Sequence, residues 1–143
     1  MTMVVAIAND HAGVALKHTL SDALRAMDCE VLNLGTDDTA SVDYPDYGSK
    51  LARIVASGSA TYGVAICGSG IGISIAANRV PGARCALVHT PEQATLARQH
   101  NDANMIALGA RMISEQQAIA CVHAFVNTAF EGGRHTARVE KLG

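Results

Sequence analysis

The sequence predicts an α/β fold, a three-layer doubly wound sandwich built on one five-stranded parallel sheet with about five flanking helices. Three observations carry that expectation. Short apolar, β-branched runs alternate with longer segments of helical period, the pattern of successive βαβ units. Of the residues, 49% are apolar and 17% charged, the balance of a compact globular chain rather than a disordered or fibrous one. The length of 143 residues suits one domain with a core of its own. No linker, repeat or low-complexity tract divides it, so residues 1–143 are read as one domain with a C-terminal arm from about residue 131.

The first strand is MVVAIA, residues 3–8. The helix after it, residues 14–27, places Val14, Leu16, Leu20, Leu24 and Met27 near one face. A second strand follows at residues 29–34 (CEVLNL). The segment 47–57 is again helical, with Leu51, Ile54 and Val55 turned to the sheet. YGVAIC, residues 62–67, is the third strand, and a glycine loop after it opens another helix. The fourth strand, residues 84–89 (RCALVH), runs into HTPEQ. There Thr90 is an N-cap, Pro91 takes the first helical position, where its missing N–H costs nothing, and Gln93 completes a capping box. NMIALG, residues 104–109, is the fifth strand. The next helix opens at a Ser114 cap and turns Ile119, Val122, Phe125 and Val126 inward. EGGRHTARVEKLG then becomes polar and glycine-broken, an arm or a short last helix. The layering is Rossmann-like.

Composition excludes several function classes. A formal charge of −2 gives no reason to expect nucleic acid or an acidic membrane surface, which leave basic patches on their partners. Cys29, Cys67, Cys85 and Cys121 lie far apart with no CxxC pair, so neither a cysteine zinc site nor a disulfide framework is suggested, and reduced thiols in a cytoplasmic protein fit best. MTMVVAIAND lacks the form of a signal peptide, and no apolar run reaches the ~20 residues of a membrane span; the mature protein is expected to be the whole chain.

In doubly wound folds ligands bind beyond the carboxyl ends of the strands. The residues there are Asn9, Asp10 and His11 after the first strand, 35–38 after the second, and 67–72 after the third. His89 and Thr90 follow the fourth, and Gly109 to Arg111 the fifth. The loop GSGIGIS, Gly68 to Ser74, is G-x-G-x-G and follows the third strand, so it departs from the dinucleotide fingerprint, although Glu92 stands at about the right distance for a ribose carboxylate. No G-K-[ST] follows, which excludes a Walker loop. Two readings remain, a tight turn needing glycine for packing, or backbone amides at a helix N-terminus that hold an anion.

Cys67 directly precedes that helix start, where the dipole favours thiolate, and it is a candidate base or nucleophile; the alternative is a small buried hydrophobe. Asp10 and His11 offer a carboxylate and an imidazole side by side, with Asp10 as a helix N-cap the competing reading. His100 and Asn101 end the capped helix, where a histidine can also serve the C-terminal dipole. Arg134 and Arg138, four apart, would share a helical face and clamp a phosphate, or belong to a solvated tail. Arg111 has the same two readings. His18 and His123 lie within helix patterns and receive no function.

Taken together, these residues resemble the ribose-5-phosphate isomerase B family, which also contains the galactose-6-phosphate isomerase subunits. NDHAG, VDYPDY, ICGSGIGISIAANRVPGARCAL, ARQHNDANMIALGAR and EGGRHTARVEK carry the resemblance, in family order and over nearly the whole chain. It implies an aldose–ketose isomerase acting on ribose 5-phosphate and ribulose 5-phosphate without metal or organic cofactor. Such chemistry moves a proton from C2 to C1 through a cis-enediolate and needs a tuned base and donors aimed at an oxyanion.

By resemblance Cys67 is the base, and the amides of Gly68, Ser69, Gly70, Ile71, Gly72 and Ser74 stabilise the enediolate. His100, with Ser69 and Asp10, opens the furanose ring. Arg134 and Arg138 hold the phosphate with His11 and Arg111, and Tyr44 and Asn101 contact substrate hydroxyls. The resemblance also implies homodimers, some paired into tetramers, in which His100, Asn101 and Arg111 reach the site from the partner chain. Ser69 stands where several relatives carry Thr, which leaves a six-carbon substrate such as allose 6-phosphate or galactose 6-phosphate open. One branch of the family uses a Glu at the position of Ile73, so here the base falls on Cys67 alone. Asn9 is given no functional weight. The rival readings are an NAD-binding enzyme and a non-catalytic module that binds a phosphosugar or nucleotide.

Overall fold

A computed structural model describes residues 2–143. Its centre is one all-parallel sheet of five strands in the order β2-β1-β3-β5-β4. The strands are β1 (Val4–Asn9), β2 (Glu30–Asn33), β3 (Tyr62–Cys67), β4 (Cys85–Leu87) and β5 (Met105–Gly109). Those expected from the sequence all form. β2 and β4 are shorter than drawn because they are the edges, where only one neighbour supplies ladder hydrogen bonds; the three inner strands are buried almost throughout.

Among the described residues there are six α-helices, where about five were expected: α1 (Val14–Ala26), α2 (Tyr44–Ala56), α3 (Ile71–Asn78), α4 (Pro91–Asn101), α5 (Glu115–Val126) and α6 (Thr136–Leu142). The sixth is the C-terminal arm, which a 3-10 turn at Gly133–His135 starts. Leu16, Leu20 and Leu24 of α1 pack with Val122 and Phe125 of α5 on one face, against Ile7, Ile66 and Ile106. Leu51 and Val55 of α2 pack with Ile73 and Ala77 of α3 on the other. The alternation of strand and helix thus produces two apolar layers, one on each side.

Local signals place the helix ends. Thr90 Oγ1 accepts from the Gln93 N–H at 3.2 Å while Gln93 Oε1 accepts from the Thr90 N–H at 3.3 Å, a complete capping box. Ser114 caps α5 through the Gln117 N–H. α2 begins three residues before the helix drawn from apolar spacing, because Pro45 sits in its first turn and costs no hydrogen bond there. That early start makes Tyr44 the first residue of α2.

Lys17 interrupts the buried stripe of α1 with only 1% of its side chain exposed. Its ammonium is satisfied by the Thr36 carbonyl at 2.6 Å and by the Asp37 carboxylate, which ties α1 to the segment after β2. Asn9 is fully buried beside that segment. Its amide donates to the carbonyls of Asp10 at 2.8 Å and Thr36 at 3.0 Å. A residue given no functional weight therefore holds the chain on which Asp10 and His11 are carried.

Candidate active site

β1 is flanked by β2 on one side and β3 on the other, so the chain reverses its winding direction between β1 and β3. At such a switch point the connections leave in opposite directions and open a crevice at the carboxyl edge of the sheet. A cleft of about 500 Å³ lies there. Asp10, directly after β1, and Cys67, at the end of β3, line it as neighbours, since the Asp10 N–H bonds to the Ile66 carbonyl at 3.1 Å.

Cys67 is buried, and its sulfur accepts the N–H of Gly70 at 3.2 Å. The sulfur thus lies at the turn that leads into α3, within reach of a backbone donor. The other cysteines differ in kind. Burial pushes the Cys85 thiol up to about 12 and, with Glu92 adding to it, that of Cys121 to about 11; burial and then Asp28 raise that of Cys29. Those three are buried among apolar neighbours.

The three glycines of the loop serve three different ends. Gly70 has φ +79°, and a Cβ there would lie 2.7 Å from Leu87 Cδ1 and 2.9 Å from the Leu108 carbonyl carbon. A Cβ on Gly68 would stand 2.7 Å from Arg111 Nη1, and one on Gly72 2.5 Å from the Tyr44 ring. The chain is thus bare where a guanidinium and a phenol ring lie against it. Arg111, expected from the partner chain, lines the cleft of its own chain. The reason is register: Cys67 pairs with Gly109, and the Arg111 N–H bonds to the Gly68 carbonyl at 3.0 Å.

Other side chains complete the wall. Asp10 Oδ1 accepts from the Ala12 N–H at 2.9 Å, so it caps the 3-10 turn at His11–Gly13 while its carboxylate also lines the cleft. His11 is held by the Val42 N–H on its Nδ1 at 3.1 Å, which places the proton of the neutral ring on Nε2. Ser69 Oγ accepts from the Ile71 N–H at 3.1 Å. Its hydroxyl proton is left to donate. Ile71 and Ile75 form an apolar lip, 54% and 58% exposed; Ile75 was missed, although its spacing of four from Ile71 was a signal that both share a face.

A second group gathers elsewhere. α4 starts beyond the carboxyl end of β4, and its eleven residues carry the chain about 16 Å back toward the amino ends of the strands. His100 and Asn101 therefore lie at the opposite end of the sheet from Cys67. There the His100 ring stacks on His135 at 4.4 Å between centroids and 17° between planes. His135 is buried, and burial, followed by His100 and Arg134, holds its pKa below the usual histidine value, with Arg138 adding to and Glu131 opposing the effect. Arg134 and Arg138 accompany His100 and are exposed. Glu131 and His135, four apart, were also missed by the sequence reading.

Comparison with known proteins bears on this arrangement. Residues 5–142 match the family model described as Ribose/Galactose Isomerase. Ribose-5-phosphate isomerase B of Escherichia coli K12 is 42% identical over 138 residues, covering 96% of this chain and 93% of that protein. Among solved structures, ribose-5-phosphate isomerase B of Clostridium thermocellum superposes with a TM-score of 0.96 at 45% identity, over 99% of this chain and 95% of the other. The Mycoplasma genitalium ribose-5-phosphate isomerase B with bound ribulose-5-phosphate gives a TM-score of 0.94 at 39% identity, over 99% and 95%. With motifs, fold and family model agreeing over the same span, the chain belongs to the ribose/galactose isomerase family.

Proposed function

We propose that the protein is an aldose–ketose isomerase that interconverts D-ribose 5-phosphate and D-ribulose 5-phosphate through a cis-enediolate. Cys67 carries the proposal, a buried thiol at the wall of a switch-point cleft with a backbone N–H on its sulfur. In the forward direction its thiolate takes the proton from C2 and the resulting thiol returns one to C1. Among the loop amides, those of Gly70, Ile71 and Ser74 already donate to Cys67 Sγ, Ser69 Oγ and the Gly70 carbonyl. The amides of Gly68, Ser69 and Gly72 are therefore the donors we assign to the enediolate oxygens. Tyr44, lying against Gly72, contacts the sugar hydroxyls, and Arg111 supplies positive charge to the same cleft.

Ring opening and phosphate binding fall to the second group, with Ser69 and Asp10 acting from the first. His100 protonates the ring oxygen, Asn101 holds a hydroxyl, and Arg134 and Arg138 clamp the phosphate with His11. Because the two groups lie at opposite ends of one sheet, we propose a homodimer in which each cleft is completed by the partner. The exposed Ile71 and Ile75 support this, since α3 is apolar on nearly every side and such a helix belongs in an interior. One sheet runs from β1 to β5, which supports reading residues 1–143 as one isomerase domain. No helix among the described residues is long and apolar enough to cross a membrane, and the four cysteines are free, which supports a cytoplasmic enzyme.

Ribulose 5-phosphate formation from ribose 5-phosphate, measured with and without EDTA in the protein and in Cys67→Ala, tests the proposal. Activity should survive the chelator and fall on the order of 10³-fold in the variant, the usual weight of a positioned base. Turnover retained in Cys67→Ala would remove the base assignment, and inactivation by EDTA the metal-free chemistry.

A further inference from the structure

We propose that His100, Glu131 and His135 form a binding site for a divalent cation of the zinc class, and that an ion held there takes His100 out of the isomerisation. The second half rests on the role given to His100 above; the first does not.

The site is built around an unpartnered atom. His135 has 7% of its side chain exposed, and its Nε2 is buried without a hydrogen-bond partner among the described residues. It faces Glu131 Oε1 at 3.6 Å, which also faces His100 Nε2 at 3.8 Å. Both separations are too long for hydrogen bonds, so one carboxylate oxygen stands between two imidazole nitrogens and satisfies neither. One donor atom from each residue lies within 4.8 Å of the other two. Zinc binds nitrogen and oxygen donors at about 2.0–2.2 Å in a tetrahedron, which sets them about 3.3 Å apart. The observed separations are wider, 3.6 and 3.8 Å from the carboxylate oxygen to the two histidines and up to 4.8 Å within the group. Because an imidazole lone pair lies in the ring plane, His100 must turn out of its stack on His135 for the two to share an ion; His100 and Glu131 are both partly exposed and free to turn, while buried His135 provides the fixed wall.

Two histidines and one carboxylate leave a fourth position for water, and this donor set is borderline in softness, suited to zinc or cobalt rather than to calcium or magnesium. Arg134 and Arg138 are close enough to act electrostatically on His135. Two cations beside a divalent ion limit its affinity, so the site suits reversible occupancy rather than a permanently held metal. Coordination occupies the Nε2 lone pair of His100. A ligated imidazole cannot exchange the proton that furanose opening requires, so an ion here inhibits an isomerase that needs none.

Cobalt(II) titration of the full chain after EDTA stripping tests the site without turnover. One cobalt per chain should give visible ligand-field bands without the near-ultraviolet charge transfer of a thiolate ligand, and the spectrum should persist in Cys67→Ala. Affinity should drop at least tenfold in His135→Ala and in Glu131→Gln; the latter alters an exposed side chain, so its folding is secure if His135→Ala proves unstable. Equal affinity in Glu131→Gln and the parent, or bands that vanish in Cys67→Ala, would overturn the site. Zinc should slow ribose 5-phosphate isomerisation in step with occupancy, reversibly with EDTA, and at least tenfold higher zinc should be needed in Glu131→Gln, each protein being compared with its own zinc-free rate. Full occupancy with an unchanged rate would overturn the coupling to His100 alone. Absence of isomerase activity would count against the proposed function and leave the cobalt result standing.

Discussion

Gly70 shows how much one residue can determine at this site. Its left-handed backbone lets the chain turn so that its own N–H reaches Cys67 Sγ, and its lack of a side chain lets the loop lie on β5. An L residue pays about 1–2 kcal/mol for that conformation, before any clash with Leu87 and Leu108. Gly70→Ala should therefore lower stability in urea denaturation by at least about 2 kcal/mol and reduce kcat along with it, because Cys67 Sγ loses its backbone donor. His100 invites a different test. Its assigned task is ring opening, so His100→Asn should damage turnover of ribose 5-phosphate far more than that of an aldose phosphate that cannot cyclise, such as a tetrose 4-phosphate. Equal losses in kcat/KM on both would reject the assignment.

Between elements, the least expected contact joins α1 to the segment after β2. Lys17 lies on the buried face of α1, and Asp37 and the Thr36 carbonyl satisfy its charge. The pair depresses the Asp37 carboxyl, chiefly through the hydrogen bond from Lys17 and then that from Asn33. A carboxyl whose pKa is lower folded than unfolded stabilises the fold while it is ionised. That contribution is complete at neutral pH and fades as the pH falls below about 4, the ordinary carboxylate value, through the lower folded one. Asp37→Asn should accordingly lower the urea midpoint at pH 7, and the difference from the parent should close in acid. Because the same segment anchors Asn9, whose backbone leads into Asp10, a loosened contact should also raise KM for the sugar phosphate.

For the whole molecule, the two groups proposed to act on one small sugar lie at opposite ends of the sheet. α4 separates them by its own length, and no side-chain rotation spans that distance. If the partner subunit closes the gap, two inactive variants should complement each other. Cys67→Ala and His100→Asn, dissociated and reassociated in equal amounts, should regain about a quarter of the parent activity, since half of the dimers are mixed and each mixed dimer has one intact site of two. No recovery, with mixed dimers demonstrated by mass spectrometry, would place both groups in one chain's site.

The fold was legible in the sequence because its signals are local: β-branched runs, helical spacing, the Thr90 and Ser114 caps, and the glycine loop after β3. Where local signals compete, as at Pro45 or at the edges β2 and β4, element ends moved by a few residues. Motifs also named most of the side chains that line the cleft, including Cys67, Asp10, Ser69 and Tyr44. What they could not supply was distance. A motif says that Arg111 follows a strand, and only strand register decides that it lies on Gly68 of the same chain. Nor does spacing reveal that Lys17 is buried, that Asn9 tethers the rim, or that Glu131 and His135 meet His100. Those contacts join segments far apart in sequence, and they are set by the order of strands in the sheet and the direction each helix runs across it, which no stretch of residues encodes by itself.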